Sequence, residues 1–368
     1  MLSTLLSLPS CWERLQQTRK PIVLYGMGNG ADRILAILAR LGLQAADFFA
    51  SDAFVRGHSF HGVRVKTLAE IRQLYDDPVI VVAFAAEDRP TMDAVCALAR
   101  EFELYVPDLP VTGDILFDRD FLTAHRQEAE AAWALLADER SRQVYLDLME
   151  HKLTGRLEPL LRTESDRLGT LRSLLPLGSS ESYVDLGAYS GDTVAEFLTL
   201  TGGEFSAIRA LEPDERNFRK LTARMERLGL ADDPRVSLHR LAAWKERAML
   251  RFAEKAGRSS SVSGSGREIP AISLDELVGG GRVTLMKLDV EGSEREALLG
   301  AARTIRRERP KLLLSAYHLS RDLFALPLLI EELAPGYRFY LRRFPYIPAW
   351  EINYLCLPDG CTVQPPQG

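Results

Sequence analysis

The stretch YVDLGAYSGDT, from Tyr183 to Thr193, decides the fold of the second half of the chain. It begins as a short apolar strand that carries Asp185, passes through glycines at 187 and 191, and ends in residues suited to start a helix. This glycine spacing differs from the GxGxxG pattern of NAD-binding folds, where a pyrophosphate lies on the helix N-terminus. Because glycine has no Cβ, a ligand can approach this backbone closely, and Asp185 favours a ligand with a positively charged amino-acid head. A plain strand-to-helix turn is the alternative interpretation.

More charged residues follow the neighbouring predicted strands. In ALEPDERNF the strand ends at Glu212, where a carboxylate can accept both hydroxyls of a ribose. In LMKLDVEGSE a strand end and the turn beyond it carry Lys287, Asp289 and Glu291. Because the carboxyl ends of parallel strands meet at one edge of an open α/β sheet, we expect these groups at a ligand-binding edge. In the structural alternative, Lys287 forms an ion pair with Asp289 or Glu291. The negative charges of Glu291 and Glu294 are then stabilised by the dipole at a helix N-terminus.

Strands alternate with helices in both halves of the chain, which predicts an α/β protein with two Rossmann-like domains. We expect an N-terminal Rossmann-like domain over residues 1–117, a helical connector over 118–175 and a second α/β domain over 176–368. The apolar stripe of the connector requires burial against a domain or against a second subunit, as in a homodimer. The last two strands, YRFYLRR and EINYLCL, predict an antiparallel edge hairpin, and RSSSVSGSGRE, residues 258–268, predicts a mobile loop.

Composition excludes several classes of protein. A formal net charge of −5 gives no basic excess for a nucleic-acid backbone, and 46% hydrophobic residues are typical of a soluble globular protein. The apolar runs fall short of the roughly 20 residues that span a bilayer, and no signal peptide is evident. The four cysteines form neither a disulfide framework nor a CxxC pair, so we expect a cytoplasmic location.

The residues around Asp185 and Glu212 resemble the nucleotide site of class I S-adenosylmethionine-dependent methyltransferases. The stretch MKLDVEGSEREALLGAARTIRRERPKLLLSAYH resembles the FkbM family of that class. The resemblance implies a mostly parallel seven-stranded sheet, S-adenosylmethionine as cofactor, and O-methylation of a hydroxyl on a sugar, glycan or natural product. The residues for which it implies cofactor contact are Asp185, Gly187, Ala188, Gly191, Asp192, Thr193, Glu212, Ala242 and Ala243.

Methyl transfer to a hydroxyl requires a group that orients or deprotonates the acceptor, because a neutral hydroxyl is a poor nucleophile. Asp289 and Glu291 are candidates for this catalytic role. His318, in a stretch similar to the family's YHxxxD pattern, is the third candidate base. The residues expected to contact the substrate are Lys287 and Tyr317. We expect a site without a metal; magnesium held by Asp289, Glu291 and His318 is the alternative. At the terminal hairpin the run Arg342-Arg343-Phe344 departs from the family pattern and leaves a substrate-facing role for Arg343 open.

The glycines of the first domain, in GMGNGAD, leave three interpretations open. Gly26, Gly28 and Asp52 form a weak NAD fingerprint. The surrounding stretch also resembles the small Rossmann-like domain at the front of sugar acyltransferases, which implies recognition of a nucleotide sugar. A purely structural domain is the third interpretation. For the whole chain, the alternative to a methyltransferase is a non-catalytic nucleotide or nucleotide-sugar binding protein.

Overall fold

The computed structural model describes residues 2–55, 57–253, 261–262 and 267–363. Its first sheet has the strand order β2-β1-β5-β6, and all neighbours are parallel. The apolar run of β5 is buried along its whole length, as expected for a central strand covered on both faces. The elements of this half are α1 (Leu2–Leu6), α2 (Cys11–Gln17), β1 (Ile22–Tyr25), α3 (Asn29–Arg40), β2 (Asp47–Phe49), α4 (Asp52–Val55), β3 (Ser59–Phe60), β4 (Val63–Arg64), α5 (Leu68–Leu74), β5 (Val79–Val82), α6 (Arg89–Glu101) and β6 (Glu103–Tyr105).

A run of helices follows: α7 (Arg119–Ala124), α8 (Arg126–Ala134), α9 (Glu139–Thr154), α10 (Leu157–Arg162) and α11 (Arg167–Leu174). Helix α9 begins at an Asp138 cap and ends at Gly155, whose left-handed backbone stops the helix. The apolar stripe of α9 is buried in one core with residues of both sheets, and Tyr145 and Leu148 are fully covered. The apolar stripe of α9 is therefore buried by residues of the same chain.

The second sheet has seven strands in the order β16-β17-β15-β14-β7-β8-β9. All neighbours are parallel except β17, which runs antiparallel to both β15 and β16. The predicted sheet with an antiparallel edge hairpin is confirmed. The elements of this half are β7 (Ser182–Leu186), α12 (Asp192–Thr201), β8 (Ala207–Leu211), α13 (Glu215–Arg227), β9 (Val236–His239), β10 (Ala242–Ala243), β11 (Ala248–Ala253), β12 (Ser261–Val262), β13 (Arg267–Ile272), α14 (Leu274–Val278), β14 (Leu285–Leu288), α15 (Glu294–Gly300), α16 (Ala302–Glu308), β15 (Lys311–Ser315), α17 (Asp322–Leu333), β16 (Tyr337–Arg343) and β17 (Ile352–Pro358).

The stretch VSLHRLAAW, expected to be one strand, is divided between two sheets. Its first part is β9, at the edge of the large sheet, and its second part is β10, which pairs with β13 in a separate sheet of order β10-β13-β11-β12. No glycine or proline marks the break in the sequence, so the two parts look like one strand. Of the loop expected at 258–268, residues 258–260 and 263–266 lie outside the described residues, and Arg267 already belongs to β13.

Buried cations join the helices to the sheets on either side. Lys152, on α9, lies 2.8 Å from a carboxylate oxygen of Asp108, and both side chains are 2% exposed. Arg343 is fully buried at the end of β16, where it donates to the carbonyls of Leu160 and Tyr346. Arg343 therefore holds α10 against the hairpin and does not face a ligand. None of the described helices combines the length and the apolar content required to cross a membrane.

Replacing Lys152 with methionine tests the buried pair. The change leaves the Asp108 carboxylate buried without its cation, so we expect the free energy of unfolding to fall by about 3–5 kcal/mol in a urea titration. A second variant that also replaces Asp108 with leucine removes both charges and is expected to recover most of that loss. A single-variant loss below about 1 kcal/mol would show that the pair is hydrated in solution.

Candidate active site

The carboxyl ends of both parallel sheets open onto one cleft of about 1350 Å³. The N-terminal half closes one side of the cleft and is tied to the other side by backbone hydrogen bonds. Ala86 and Ile347 form a reciprocal pair, with N···O distances of 2.7 and 2.9 Å, and the Thr112 amide donates to the His318 carbonyl at 3.0 Å. Residues of the first half that line the cleft include Met27, Asn29, Gly30, Arg33, Phe84 and Glu87.

The turn after β7 is pressed against the turn after β14. At Gly187 the backbone has φ +90°, and a Cβ there would lie 1.9 Å from the carbonyl oxygen of Asp289. Only glycine is compatible with this close approach. Gly187 lines the cleft, followed by Tyr189 and by Asp192 and Thr193 at the start of α12. Gly191 caps α12 with φ +78° and does not contribute to the cleft wall.

Asp185 lies behind the cleft wall instead of in it. Its side chain is fully buried, accepts from the Tyr183 hydroxyl at 3.0 Å and lies 3.2 Å from the ammonium of Lys287. The Thr193 hydroxyl donates to the same carboxylate. Asp185 thus orients residues that do line the cleft, and it is not available to a ligand in this arrangement.

Lys287 lines the cleft with its charge held from behind. Its ammonium donates to the Gly187 carbonyl at 2.6 Å and lies 3.9 Å from Asp289. Burial alone would lower the pKa of Lys287, but Asp185 and Asp289 raise it. Lys287 is therefore paired mainly with Asp185, which was not predicted, and the expected pairing with Asp289 is present only at 3.9 Å.

Glu212 ends β8 as a nearly buried carboxylate on the cleft. The amide of Tyr189 donates to Oε2 at 2.8 Å and the amide of Asp214 donates to Oε1 at 2.9 Å. Burial raises the pKa of Glu212 to about 7, against the effect of these two amides. A carboxylate fixed in this way still has a lone pair on each oxygen for hydroxyl donors. Ala242 and Ala243 of β10 add an apolar part of the wall, whereas Ala188 is fully buried and lies outside it.

Asp289 and Glu291 line the cleft in the turn between β14 and α15. Glu291 has a left-handed backbone with φ +54°, and its carbonyl accepts from the Thr112 hydroxyl at 3.2 Å. Burial and the carboxylates of Asp289 and Glu294 raise the pKa of Glu291 to about 7, although His318 opposes the shift. The Tyr317 hydroxyl also lines the cleft, 3.5 Å from Asp289 Oδ1.

His318 lies behind these two carboxylates and does not reach the cleft. Its side chain is 1% exposed, with Nε2 3.3 Å from Asp289 Oδ1 and 3.6 Å from Glu291 Oε2. On the other side of the ring, Nδ1 lies 2.9 Å from Glu294 Oε1. The structure therefore brings the three predicted catalytic residues together but places only Asp289 and Glu291 where a substrate could touch them.

One cluster within the described part of the chain has the spacing of a metal site: Asp289, Glu294 and His318, whose ligand atoms lie within 4.8 Å of one another. Asp289 and Glu294 approach opposite nitrogens of the imidazole, however. That arrangement suits an imidazolium between two carboxylates better than one ion shared by all three residues. The expectation of a metal-free site stays a prediction.

Several residues of the cleft were not predicted. The loop between β16 and β17 contributes Tyr346, Trp350 and Glu351 to the cleft, and Glu294, assigned only to the helix N-terminus, is fully buried behind the cleft wall. The signal for the loop was in the topology, because a hairpin antiparallel to β15 must turn at the carboxyl edge of that strand. Asp52, by contrast, is exposed and does not line the cleft, which removes the acid from the NAD fingerprint.

Comparisons with known proteins show which family the second half of the chain resembles. Residues 185–346 match the sequence model of the methyltransferase FkbM domain. The structure of an FkbM methyltransferase from Methylobacillus flagellatus KT is 22% identical, with a TM-score of 0.70 over 92% of this chain and 90% of that chain. This likeness shows that the fold is shared across both halves of the chain.

More distant similarities cover about half of the chain. Fibrillarin from Aeropyrum pernix, solved with natively bound S-adenosyl-L-methionine, is 13% identical over 52% of this chain and 73% of that chain, with a TM-score of 0.33. A methyltransferase from Geobacter sulfurreducens, solved with S-adenosyl-L-homocysteine, is 16% identical over 48% of this chain and 66% of that chain, with a TM-score of 0.30. No curated protein matches the chain. Residues 185–346, less than half of the chain, are thus similar in sequence to the methyltransferase FkbM domain.

Proposed function

We propose that this protein is an S-adenosylmethionine-dependent methyltransferase that methylates a hydroxyl oxygen of a sugar-containing acceptor bound between the two sheets. The observation that carries the proposal is the single cleft in which the glycine turn after β7 meets the carboxylates of Asp289 and Glu291. A cofactor on the glycine turn would lie next to groups able to orient and deprotonate a hydroxyl. Holding the two reactants in this relation supplies most of the catalysis expected for a direct displacement.

The residues of the second half suit S-adenosylmethionine. Glu212 offers two fixed carboxylate oxygens for the ribose hydroxyls, and Ala242 and Ala243 offer an apolar surface for the adenine. Asp192, which lines the cleft, is the carboxylate available to the ammonium of the methionine part, because Asp185 is already paired with Lys287. The lack of a side chain at Gly187 lets this turn lie against the carbonyl of Asp289, so a cofactor on the turn would lie close to the turn that carries the carboxylates.

Side chains of the protein then bind and orient the acceptor hydroxyl and remove its proton. When bound, the cofactor supplies a methyl group on a sulfonium, an electrophilic carbon with a good leaving group. Asp289 and Glu291 accept a hydrogen bond from the acceptor hydroxyl and aim its oxygen. As the O–H bond breaks, the proton passes to the Glu291 carboxylate, and the electron pair of the oxygen forms the new bond to carbon. Lys287, held by Asp185, fixes the position of the Gly187 carbonyl beneath the reactants.

The acceptor class follows from the size and the polarity of the cleft. A single drug-sized ligand fills about 300–1,000 Å³, so a cleft of about 1350 Å³ has room for a second ligand beside the cofactor. Tyr346 and Trp350 stack with ring centroids 5.4 Å apart, and they line the same cleft as the polar Asn29 and Arg33. An aromatic surface with polar groups around it suits a hydroxylated ring. A nucleotide sugar, with its phosphates near Arg33, is our preferred form of this acceptor. Assembly as a homodimer and a cytoplasmic location stay predictions from sequence.

Binding of S-adenosylmethionine to a Glu212→Gln variant tests the cofactor site. Each hydrogen bond to a charged group contributes about 1.5–3 kcal/mol, so we expect the variant to lose at least about tenfold in affinity by calorimetry. In the parent protein the affinity is expected to weaken as the pH falls through about 7, because protonation of Glu212 removes an acceptor. The variant should show no such dependence. Glu226→Gln, an exposed change on α13, is the control, and an equal loss in both variants would contradict the assignment.

Turnover by a Glu291→Gln variant tests the chemistry. With a panel of glycosides, nucleotide sugars and phenols, we expect S-adenosylhomocysteine release by the parent to rise with pH through about 7, as Glu291 loses its proton. Gln cannot take a proton, so we expect a rate at least about 100-fold lower. The variant should still bind S-adenosylmethionine as the parent does. Full activity in the variant would remove Glu291 from the mechanism.

A further inference from the structure

We propose that Glu294 is a positioning residue that keeps His318 as an imidazolium behind the cleft wall, so that the acceptor proton passes to Glu291 and not to His318. The catalytic consequence rests on the proposed methyl transfer. The charge of the imidazole does not depend on it.

His318 is fixed in place at the end of β15. Its carbonyl accepts from the Thr112 amide at 3.0 Å, and its ring lies against Tyr317 with centroids 4.2 Å apart. The side chain is 1% exposed, so no water or substrate reaches the ring in this arrangement. The ring nitrogens can be satisfied only by the protein groups around them.

Glu294 fixes one nitrogen of that ring. It is the first residue of α15 and is fully buried, and its Oε1 accepts from the amides of Val290 and Gly292 at 2.9 and 3.4 Å. The same oxygen lies 2.9 Å from Nδ1 of His318. An oxygen that holds the backbone of the turn cannot move away from the ring without opening the turn. The two atoms lie at ion-pair distance without the alignment of a hydrogen bond, and an ionised carboxylate so close to Nδ1 favours a hydrogen on that nitrogen.

The second nitrogen meets carboxylates as well. Nε2 lies 3.3 Å from Asp289 Oδ1 and 3.6 Å from Glu291 Oε2. A neutral ring protonated at Nδ1 would direct the lone pair of Nε2 at these oxygens, which is repulsive. A proton on Nε2 turns the repulsion into attraction. The geometry therefore favours hydrogens on both nitrogens.

The charges around the ring support the same state. The groups that face His318 are Glu294 on α15, Asp289 and Glu291 on the preceding turn, and Asp322 at the start of α17. Burial alone would lower the pKa of His318, but Glu294, Glu291 and Asp289 raise it to about 10. A raised pKa favours the charged ring in the neutral range of pH.

An imidazolium has no lone pair with which to accept a proton. Of the three candidate bases, this leaves the two carboxylates that line the cleft, and burial raises the pKa of Glu291 to about 7, close to neutral pH. In the step itself the acceptor O–H bond breaks and the proton joins the Glu291 carboxylate, while the oxygen pair bonds to the methyl carbon and the carbon–sulfur pair stays on sulfur. His318 remains protonated throughout and limits the negative charge that Asp289 and Glu291 place on the cleft.

Nitrogen-detected NMR of the full chain labelled at its six histidines reads the charge of His318 without any acceptor or cofactor. The signals are assigned by their loss in a His318→Gln variant. We expect both ring nitrogens of the parent to stay protonated up to at least pH 8. In Glu294→Gln, which keeps the shape but removes the charge, we expect the titration midpoint to fall by about 1–3 pH units. Glu294→Asp keeps the charge and should retain more of the raised midpoint than Glu294→Gln.

A matched control removes a carboxylate from another buried pair of the same domain, Glu181→Gln beside Lys311, where the ion pair measures 2.6 Å. The control should leave His318 unchanged, which separates the charge of Glu294 from a general loss of stability. A neutral His318 at pH 7 in the parent would overturn the proposal even if no variant folds. An unchanged midpoint in a folded Glu294→Gln variant would also overturn it, as would loss of the His318 signals on adding one equivalent of Mn²⁺. None of these NMR measurements depends on methyl transfer. A result that contradicts the proposal about His318 is therefore distinct from a failure of the proposed function.

Discussion

The close approach of Gly187 to the carbonyl oxygen of Asp289 is the constraint on which the rest of the site depends. Strands β7 and β14 are parallel neighbours, and their turns meet with only the space of a hydrogen atom between them. This contact makes the glycine turn and the carboxylate turn one rigid unit. Lys287 completes the unit by bonding the Gly187 carbonyl while it is held by Asp185. In the proposed function, a cofactor on one turn would therefore lie against the carboxylates on the other.

The first domain forms hydrogen bonds to the second half of the chain from the opposite side of the cleft. Thr112 bonds both to the carbonyl of Glu291 and to that of His318, and Ala86 pairs with Ile347 in the loop of the hairpin. These bonds join the N-terminal sheet to the turns that carry the candidate base. Since the connector helices share a core with both sheets, the two carboxyl edges are held facing each other. The fold shared with the Methylobacillus flagellatus protein spans both halves of the chain.

Much of this architecture could be predicted from the sequence, because the patterns that predict it are formed by residues close together in the chain. The apolar run before Asp185, the two glycines and the helix start after them predict β7, its turn and α12, and the alternation of strands and helices predicts the sheet. The residues Asp289 and Glu291 were placed at the ligand edge by the same argument, and the structure puts both on the cleft. The sequence did not predict the directions in which these side chains point. Asp185 and His318 sit at the expected strand ends, but no local pattern shows that one turns towards Lys287 and the other behind the wall.

Long-range contacts could not be predicted from the sequence, for a related reason. Neither Thr112 nor Ala86 belongs to any motif, and their role exists only because the chain folds one domain over the other. The break between β9 and β10 was hidden because Arg240 and Leu241 carry no turn signal. Such features depend on the partner surface that a residue meets, which a single sequence does not record.

A crystal structure of the full chain with S-adenosylhomocysteine tests the central claim most directly. Our account predicts the ribose hydroxyls on Glu212, the amino-acid part over Gly187 beside Asp192, and the sulfur facing Asp289 and Glu291, with the N-terminal residues Asn29 and Arg33 across an open part of the same cleft. A ligand bound on the N-terminal glycine turn, or one that leaves Glu212 untouched, would contradict it.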